Sequence, residues 1–180
     1  MSLDPFPDHL DAVRLFARNG SVSAFLPVFR LQRFTSNLFD NYGLENQGDV
    51  KVQLHFGHDE ERRQRLSGSL QTDVRVLCQR CMQPLSLELE CELALLVLEN
   101  EEAVAALQGD EALLDAIVMG PDGLDVLEVL EDELILSLPL IPVHEEASCN
   151  EALNALRIKE GREEEGKPNP FSVLAALKPK

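Results

Sequence analysis

The middle third of the chain alternates apolar and polar residues with a period of two. Small or apolar side chains occupy every second position over residues 50–56, again over residues 66–78 and a third time over residues 85–97. This period is typical of strands that bury one face and expose the other. Short segments separate the three runs, so the pattern predicts an antiparallel meander with one face exposed to water.

The other predicted elements flank this meander. They are an amphipathic helix over residues 9–18, an edge or irregular strand over 22–34 that Pro27 interrupts, a helix over 101–107 and a short strand over 115–119. Asn19-Gly20 is expected to end the first helix, and residues 120–123 are expected to form a turn.

A longer helix is predicted after Asp125, which can cap it. Its apolar stripe consists of Leu127, Leu130, Leu134 and Leu138, and three acids, Glu128, Glu131 and Asp132, are predicted to face water. Pro139 and Pro142 end the helical pattern. The predicted fold is therefore α+β: an antiparallel β-sheet, either an open meander or a barrel-like form, with a few packing helices.

The chain of 180 residues is long enough for one domain, which we assign to residues 1–159. Residues 160–168 are mostly charged and predict a flexible linker. Residues 169–180 predict a short C-terminal helix that either docks on a partner or folds back onto the sheet. Its predicted partner-binding residues are Asn169 as the cap, Pro170 at the first helical position, and Phe171, Leu174 and Leu177 on one face.

Charge is unevenly distributed along the chain. The whole chain has 16 basic and 32 acidic residues, but residues 81–166 alone have 3 basic and 22 acidic residues, a net charge of −19. Such a surface repels phosphate, so a broad RNA-binding face is disfavoured and a basic protein partner is favoured. The alternative is that these acids only form a solvated face.

The sequence predicts neither a membrane segment nor a secretory signal. No apolar run approaches the roughly 20 residues of a spanning helix. The first nine residues carry two acids and two prolines where a secretory signal carries positive charge. We therefore expect a cytoplasmic protein with no membrane partner, in which the four cysteines stay reduced.

The sharpest local motif is Cys78-Gln79-Arg80-Cys81, in the predicted turn between two strands. Two thiolates at this spacing form half of a tetrahedral zinc site. His144 and Cys149, close together after the longer helix, can supply the other half. The predicted zinc ligands are Cys78, Cys81, His144 and Cys149.

Two alternatives to zinc remain open at this point. The cysteines can act as small buried hydrophobic residues, with His144 an ordinary loop residue. Cys78 and Cys81 can also form a redox pair, although a helix usually follows such a pair and here a strand is predicted. Cys91 lies in the apolar register of its strand, so we assign it to the core.

Other constellations give weaker signals. His55 and His58 are predicted to lie on opposite strand faces, so a shared metal is disfavoured. Arg62, Arg63 and Arg65 stand beside acids, which favours a self-neutralising loop over an RNA or acidic-partner contact. The sequence contains no phosphate-binding glycine loop, nucleophile elbow or helical metalloprotease motif, so we expect no enzymatic activity and no small-molecule substrate.

Three separated blocks resemble the YceD family, the large ribosomal RNA subunit accumulation proteins. The blocks are Cys78-Gln79-Arg80-Cys81, residues 129–144 (VLEDELILSLPLIPVH) followed by Cys149, and residues 167–178 (KPNPFSVLAALK). The resemblance implies a non-enzymatic factor for the synthesis or accumulation of 23S ribosomal RNA, and so for the large ribosomal subunit. Some relatives resemble this chain but have cysteine at the position of His144 and further cysteines beyond it, which favours zinc. This chain lacks those further cysteines, so the alternative remains that the site no longer binds metal and that its residues serve only the structure.

The resemblance and the charge together suggest how such a factor acts. An acidic chain is expected to reach ribosomal RNA or a large-subunit precursor indirectly, through a basic ribosomal or assembly protein. The alternative function is a zinc-stabilised regulatory or redox-responsive module that binds a protein target.

Overall fold

The protein, seen in a computed structural model, is described over residues 4–39, 48–108, 115–121 and 123–156. Within these ranges six strands form one sheet, in the order β1-β2-β3-β4-β5-β6. The strands are β1 (Asp4–Pro5), β2 (Ser21–Pro27), β3 (Asp49–His58), β4 (Gln64–Leu77), β5 (Pro84–Leu98) and β6 (Ala116–Val118).

The helices of the described ranges are short except for one. They are α1 (Ala12–Ala17), α2 (Gln32–Thr35), α3 (Glu101–Ala105) and α4 (Val126–Ser137), with 3-10 turns at Val28–Arg30 and Ala147–Cys149. Residues 151–156 are also helical. Asp11 caps α1 and Asp125 caps α4 through side-chain bonds to backbone N–H groups, so both helices begin where an acid can accept these bonds.

Strands β3, β4 and β5 form the predicted antiparallel meander. Their ends lie within two residues of the three predicted runs. The register places Val52 opposite Leu70, and Leu70 opposite Cys91, on the inner face. The alternation of the sequence thus determines which face of each strand is buried.

The sheet is mixed, which corrects the prediction of a purely antiparallel sheet, and of the two predicted forms it takes the open one rather than the barrel-like one. β1 runs parallel to β2, and β6 runs parallel to β5. In both cases a helix lies in the connection, because parallel neighbours need a crossover. These edge strands are two and three residues long and lie at opposite ends of the strand order, so they do not meet to close a barrel.

The core lies between the inner face of the sheet and the helices. It is largely aliphatic, and its pair of phenylalanine rings joins Phe16 to Phe56 at 5.2 Å between centroids. Fully buried members from strands and helices include Leu26, Leu66, Leu70, Leu130 and Leu134. Burial of each such side chain stabilises the fold by roughly 1.5–3 kcal/mol.

Glu131 of α4 is buried, which corrects the prediction that it faces water. Its carboxylate accepts bonds from the backbone N–H groups of Arg33 at 2.6 Å and Phe34 at 3.0 Å. These are N-terminal amides of α2, a helix whose own cap residue makes no side-chain bond. Glu128 and Asp132, on the same helix, are exposed as predicted.

The arginine-rich loop and the histidine pair of the sequence analysis form no shared site in the described residues. Arg63 pairs with Asp59 at 2.7 Å and with Glu61 at 3.2 Å, in the self-neutralising arrangement favoured above. His55 and His58 bond different residues, Ser21 and Asn19 respectively.

The predicted linker, 160–168, and the predicted helix, 169–180, lie outside the described residues, and so do Asn169, Pro170, Phe171, Leu174 and Leu177. None of the helices described has the length and apolar character needed to cross a bilayer.

Candidate metal centre

The turn between β4 and β5 positions the first two candidate ligands, Cys78 and Cys81. Its backbone is tied by bonds from Met82 N–H to the Cys78 carbonyl and from Cys78 N–H to the Gln83 carbonyl, both 2.9 Å. Met82 has a left-handed backbone with φ of 58°. The tight turn brings the two cysteine side chains to the same end of the sheet.

The segment after α4 carries the other two candidates, His144 and Cys149. The two prolines end the helix, and the extended chain then passes the β4–β5 turn, where Gln79 N–H donates to the Pro142 carbonyl at 2.8 Å. The 3-10 turn Ala147–Cys149 places the second pair against the first.

The four predicted residues converge. One ligand atom from each of Cys78, Cys81, His144 and Cys149 lies within 4.8 Å of the others, and no other group of this kind occurs in the described ranges. Cys81 Sγ lies 3.4 Å from His144 Nδ1. Residues more than 60 positions apart thus meet at one point.

The imidazole of His144 has the orientation that a metal ligand needs. Its Nε2 lies 3.2 Å from the Pro84 carbonyl, and a carbonyl can only accept, so Nε2 carries the proton. The lone pair of Nδ1 then faces the sulfur atoms. A bond from the far ring nitrogen to a carbonyl is the usual arrangement that orients a ligating histidine.

The sulfur atoms differ in acidity because their surroundings differ. Burial opposes ionisation of Cys78, but hydrogen bonds from the backbone of Cys81, His144 and Arg80 outweigh it and lower the pKa of its thiol to about 5. Burial and the neighbouring sulfurs of Cys78 and Cys149 raise the pKa of Cys81. Cys78 is therefore the thiol that ionises more readily of the two, and its thiolate can bind a cation.

Arg80, the residue between the two cysteines of the motif, connects both halves of the centre. Its Nε donates to Cys149 Sγ at 3.0 Å, and its terminal nitrogen donates to the carbonyls of His144 and Glu146, the latter at 2.9 Å. Asn150 returns a bond to the Arg80 carbonyl at 2.5 Å. The only sign of this role in the sequence is a long cationic side chain inside a paired-cysteine motif.

This donor set fits zinc. Three sulfurs and one imidazole nitrogen are a common tetrahedral zinc environment in structural sites. Three thiolates around a divalent ion leave one negative charge, and the guanidinium of Arg80 lies beside it. Cys78, Cys81 and Cys149 are free thiols in the structure. The residues that would hold the ion are those four, with Arg80 and the Pro84 carbonyl orienting them.

Cys91 lies apart from the centre. It is half-buried in the inner register of β5, as its place in the apolar pattern predicted, and its sulfur lies 3.9 Å from the Glu133 carboxylate. Burial and the charge of Glu133 raise the pKa of this thiol.

The fold and the centre define a class of protein: a small acidic α+β protein with an open mixed sheet and a candidate structural metal centre at one end of it. Comparison with known proteins then gives the family. The family described as "Large ribosomal RNA subunit accumulation protein YceD" matches residues 66–178. A protein of Haemophilus influenzae with that same name is 32% identical over 187 residues, which cover 100% of this chain and 96% of the relative. The chain belongs to the YceD family. No solved structure is significantly similar to it.

Proposed function

We propose that this protein is a non-enzymatic cytoplasmic factor for the synthesis or accumulation of 23S ribosomal RNA, and so for the assembly of the large ribosomal subunit. The observation that carries the proposal is the match along the whole chain to the Haemophilus influenzae protein, whose name states accumulation of the large ribosomal RNA subunit. Two of the three sequence blocks that resemble the family contain the residues of the candidate metal centre.

The proposed route to the RNA is through a basic ribosomal or assembly protein. Exposed acids on β5, Glu88, Glu90 and Glu92, support this route because they repel phosphate and attract lysine and arginine. A basic partner neutralised by this surface can be held before it joins the RNA.

The proposed role of zinc is structural. The four ligands join the β4–β5 turn to the segment after α4, two regions that hydrogen bonds of Gln79, Arg80 and Asn150 also link. We expect the purified protein to contain about one zinc ion per chain by mass spectrometry of metals. Cys78→Ser should lose the ion and lower the melting temperature, whereas Cys91→Ser should keep it. Equal metal content in both variants would contradict the assignment.

The C-terminal residues are proposed to bind the partner. Deletion of residues 167–180 should then abolish partner binding and leave the melting temperature unchanged. A lower melting temperature with unchanged binding would instead assign these residues to the fold.

Sedimentation of the tagged protein tests the function directly. Lysate is run on a sucrose gradient with and without nuclease, and each fraction is probed for 23S ribosomal RNA. Migration with large-subunit precursors that collapses on nuclease treatment is expected for action on assembling particles, and migration as a small free species indicates action on a free protein before assembly. In cells lacking the protein, unchanged 23S ribosomal RNA would contradict both.

A second candidate function rests on the three thiols gathered at the centre. In a redox-responsive module, reversible oxidation of Cys78 and Cys81 would alter binding to a protein target. The purified protein is treated with a mild thiol oxidant and then with a reductant, and mass spectrometry follows the Cys78–Cys81 disulfide while partner binding is measured. This experiment distinguishes a redox module from a structural site. Loss and recovery of partner binding with the Cys78–Cys81 disulfide favours the redox module, and unchanged binding favours the structural site.

A further inference from the structure

Most of β5 has a neighbouring strand on one side only. β4 pairs with it along its whole length, from Gln64 opposite Val97 to Leu77 opposite Pro84. On the other side, β6 pairs only with Leu96, Val97 and Leu98. Residues 85–95 therefore present a free strand edge in the described part of the chain, which we call the β5 edge.

The backbone groups on the β5 edge can be assigned. Leu96 N–H donates to the Asp115 carbonyl at 2.8 Å, and the Leu98 carbonyl accepts from Met119 N–H at 2.7 Å, so even-numbered residues point away from β4. The β4–β5 register continues without a bulge, and the alternation holds along the strand. Unpaired N–H and C=O groups therefore belong to Ser86, Glu88, Glu90, Glu92 and Ala94. Such a row is a template for one more strand.

A cleft of about 500 Å³ opens at one end of the β5 edge. Leu85, Ser86 and Leu87 form one wall, and Val143, Glu145 and Glu146 belong to the other. No lysine or arginine lines it. The cleft can take apolar side chains from a strand that lies along the edge, and its acidic side chains favour a cationic one.

The side chains beside the edge define the chemistry of an added strand. Glu88, Glu90 and Glu92 are exposed on the outer face, while Leu85 and Leu87 are half-buried on the inner face. Side chains of an added strand would alternate between these two faces. Those on the outer face meet carboxylates and those on the inner face meet apolar groups. A second copy of β5 would place glutamates against glutamates, which is destabilising.

We propose that the β5 edge and its cleft bind, by strand addition, an extended protein segment in which lysine or arginine alternates with apolar residues. The proposal rests on the proposed function in that it identifies where and how the basic partner is held. Backbone hydrogen bonds supply affinity and the alternating side chains supply specificity, as in other cases of strand addition.

A labelled twelve-residue peptide that alternates lysine and valine is the probe. Fluorescence anisotropy with the full chain is expected to give saturable binding. A peptide of the same composition with lysines and valines in blocks of two cannot place all its charges on one face, and should bind at least about tenfold more weakly. Equal binding of the two peptides would mean attraction by net charge alone and would overturn the proposal.

Two sets of variants test the edge. Glu88→Lys, Glu90→Lys and Glu92→Lys together should weaken binding at least about tenfold, while Glu99→Lys, Glu101→Lys and Glu102→Lys, an equal change of charge elsewhere, should change it less than about twofold. Ser86→Pro removes one outward N–H without changing charge or the bonds to β4, and should weaken binding several-fold, whereas Ser86→Ala should not. Melting temperatures verify that each variant is folded. Comparable loss in the two charge-reversed sets would overturn the proposal.

Hydrogen exchange locates the contact. The amides of Ser86, Glu88, Glu90, Glu92 and Ala94 should exchange rapidly in the free full chain and become protected by the peptide. Protection already present in the free chain would mean that another segment of the chain or a second copy covers the edge, and would overturn the proposal. Protection by the peptide at residues 136–143 instead would also overturn it.

Cells lacking the protein separate this proposal from the proposed function. If the wild-type chain restores 23S ribosomal RNA and the triple β5 variant, folded and present at equal level, does not, both stand. If the triple variant restores it fully, the edge is not the partner surface, yet the function stands. If the wild-type chain has no effect on 23S ribosomal RNA, the proposed function fails whatever the peptide does.

Discussion

The Arg80 side chain makes three of the hydrogen bonds that join the two halves of the candidate metal centre. Its guanidinium satisfies the carbonyls of His144 and Glu146 and contacts Cys149 Sγ. Arg80→Ala should therefore cost about 1–3 kcal/mol of unfolding free energy, because it leaves these acceptors unpaired. It should also weaken zinc binding about 10–100-fold, the usual effect of removing a group that orients ligands.

Chelator competition and urea unfolding measure the two effects of Arg80→Ala. Gln79→Ala is the matched control, because its side chain is exposed and adjacent in sequence. Arg80→Lys keeps the positive charge but loses the planar set of guanidinium donors. Its zinc affinity and unfolding free energy should lie between those of Arg80→Ala and Gln79→Ala. Zinc affinity unchanged in Arg80→Ala would contradict an orienting role.

Glu133 is expected to make stability depend on pH. Burial, together with the negative charges of Asp115 and Asp132, raises the pKa of its carboxyl above the ordinary value of 4.5, although a bond from Cys91 opposes this. The folded state then holds this proton more tightly than the unfolded state, so stability falls as pH rises from 4.5 through the folded pKa. Above the folded pKa, the loss of stability caused by the ionised Glu133 no longer changes with pH.

Glu133→Gln should therefore stabilise the protein at pH 7, by less than about 1 kcal/mol because the group is partly solvated. The gain should shrink as pH falls through the folded pKa and vanish below 4.5, where the carboxyl is protonated in both states. Urea unfolding at several pH values measures the difference, with the exposed Glu92→Gln as a control for lost surface charge. A gain that persists at low pH would point to packing instead.

At the scale of single residues, the sequence predicts what depends on side-chain chemistry. Cys78, Cys81, His144 and Cys149 could be proposed as a set because few residue types bind zinc. The role of Arg80 could not be predicted, since arginine is common on protein surfaces and its acceptors here are the backbone carbonyls of residues 144 and 146. Sequence does not reveal carbonyl positions before the fold is known.

Among the elements, α2 depends most on a distant side chain. It spans only Gln32–Thr35, too short to be stable alone, and Glu131 of α4 accepts its N-terminal amides and pairs with the Arg33 side chain at 3.0 Å. Glu131→Ala should cost about 3 kcal/mol, because it leaves buried amides and a guanidinium without their acceptor. Urea unfolding measures this loss.

Asp132→Ala is the control for Glu131→Ala. Asp132 also pairs with Arg33, at 2.7 Å, but its side chain is 53% exposed, so its removal should cost less than about 1 kcal/mol. Hydrogen exchange should show faster opening of residues 32–38 in Glu131→Ala and not in Asp132→Ala. Equal losses for the two would refute the capping role.

The longer a strand is, the better the sequence predicts its position and its buried face. The strands β3, β4 and β5 alternate over many residues, so the period identifies them and their buried faces. β1 and β6 have only two and three residues, too few for a period, and their parallel pairing depends on the helical connections before β2 and β6. Glu131 was assigned to the solvent because helical periodicity places carboxylates outward, whereas here α2 provides donors on that side.

At the scale of the whole molecule, charge rather than fold limits the partners. The net charge of −16 is concentrated in residues 81–166, which include β5 and α4. Composition alone predicted this asymmetry. Which acids form one surface could not be predicted from composition, because it depends on the exposed register of β5 and on an edge that no strand of the described ranges covers.

The free protein should not bind ribosomal RNA by itself. In a gel-shift experiment with a 23S ribosomal RNA fragment, no retardation is expected at about 100 µM protein, a concentration at which ordinary basic proteins bind RNA non-specifically. Low salt should not rescue binding, because the longer screening length extends repulsion between the acids and the phosphates. Addition of a basic large-subunit protein that binds both should produce a shifted complex, and reversing Glu88, Glu90 and Glu92 should remove this chain from it. Retardation by the free chain that strengthens at low salt would instead place an RNA-binding face on the protein itself.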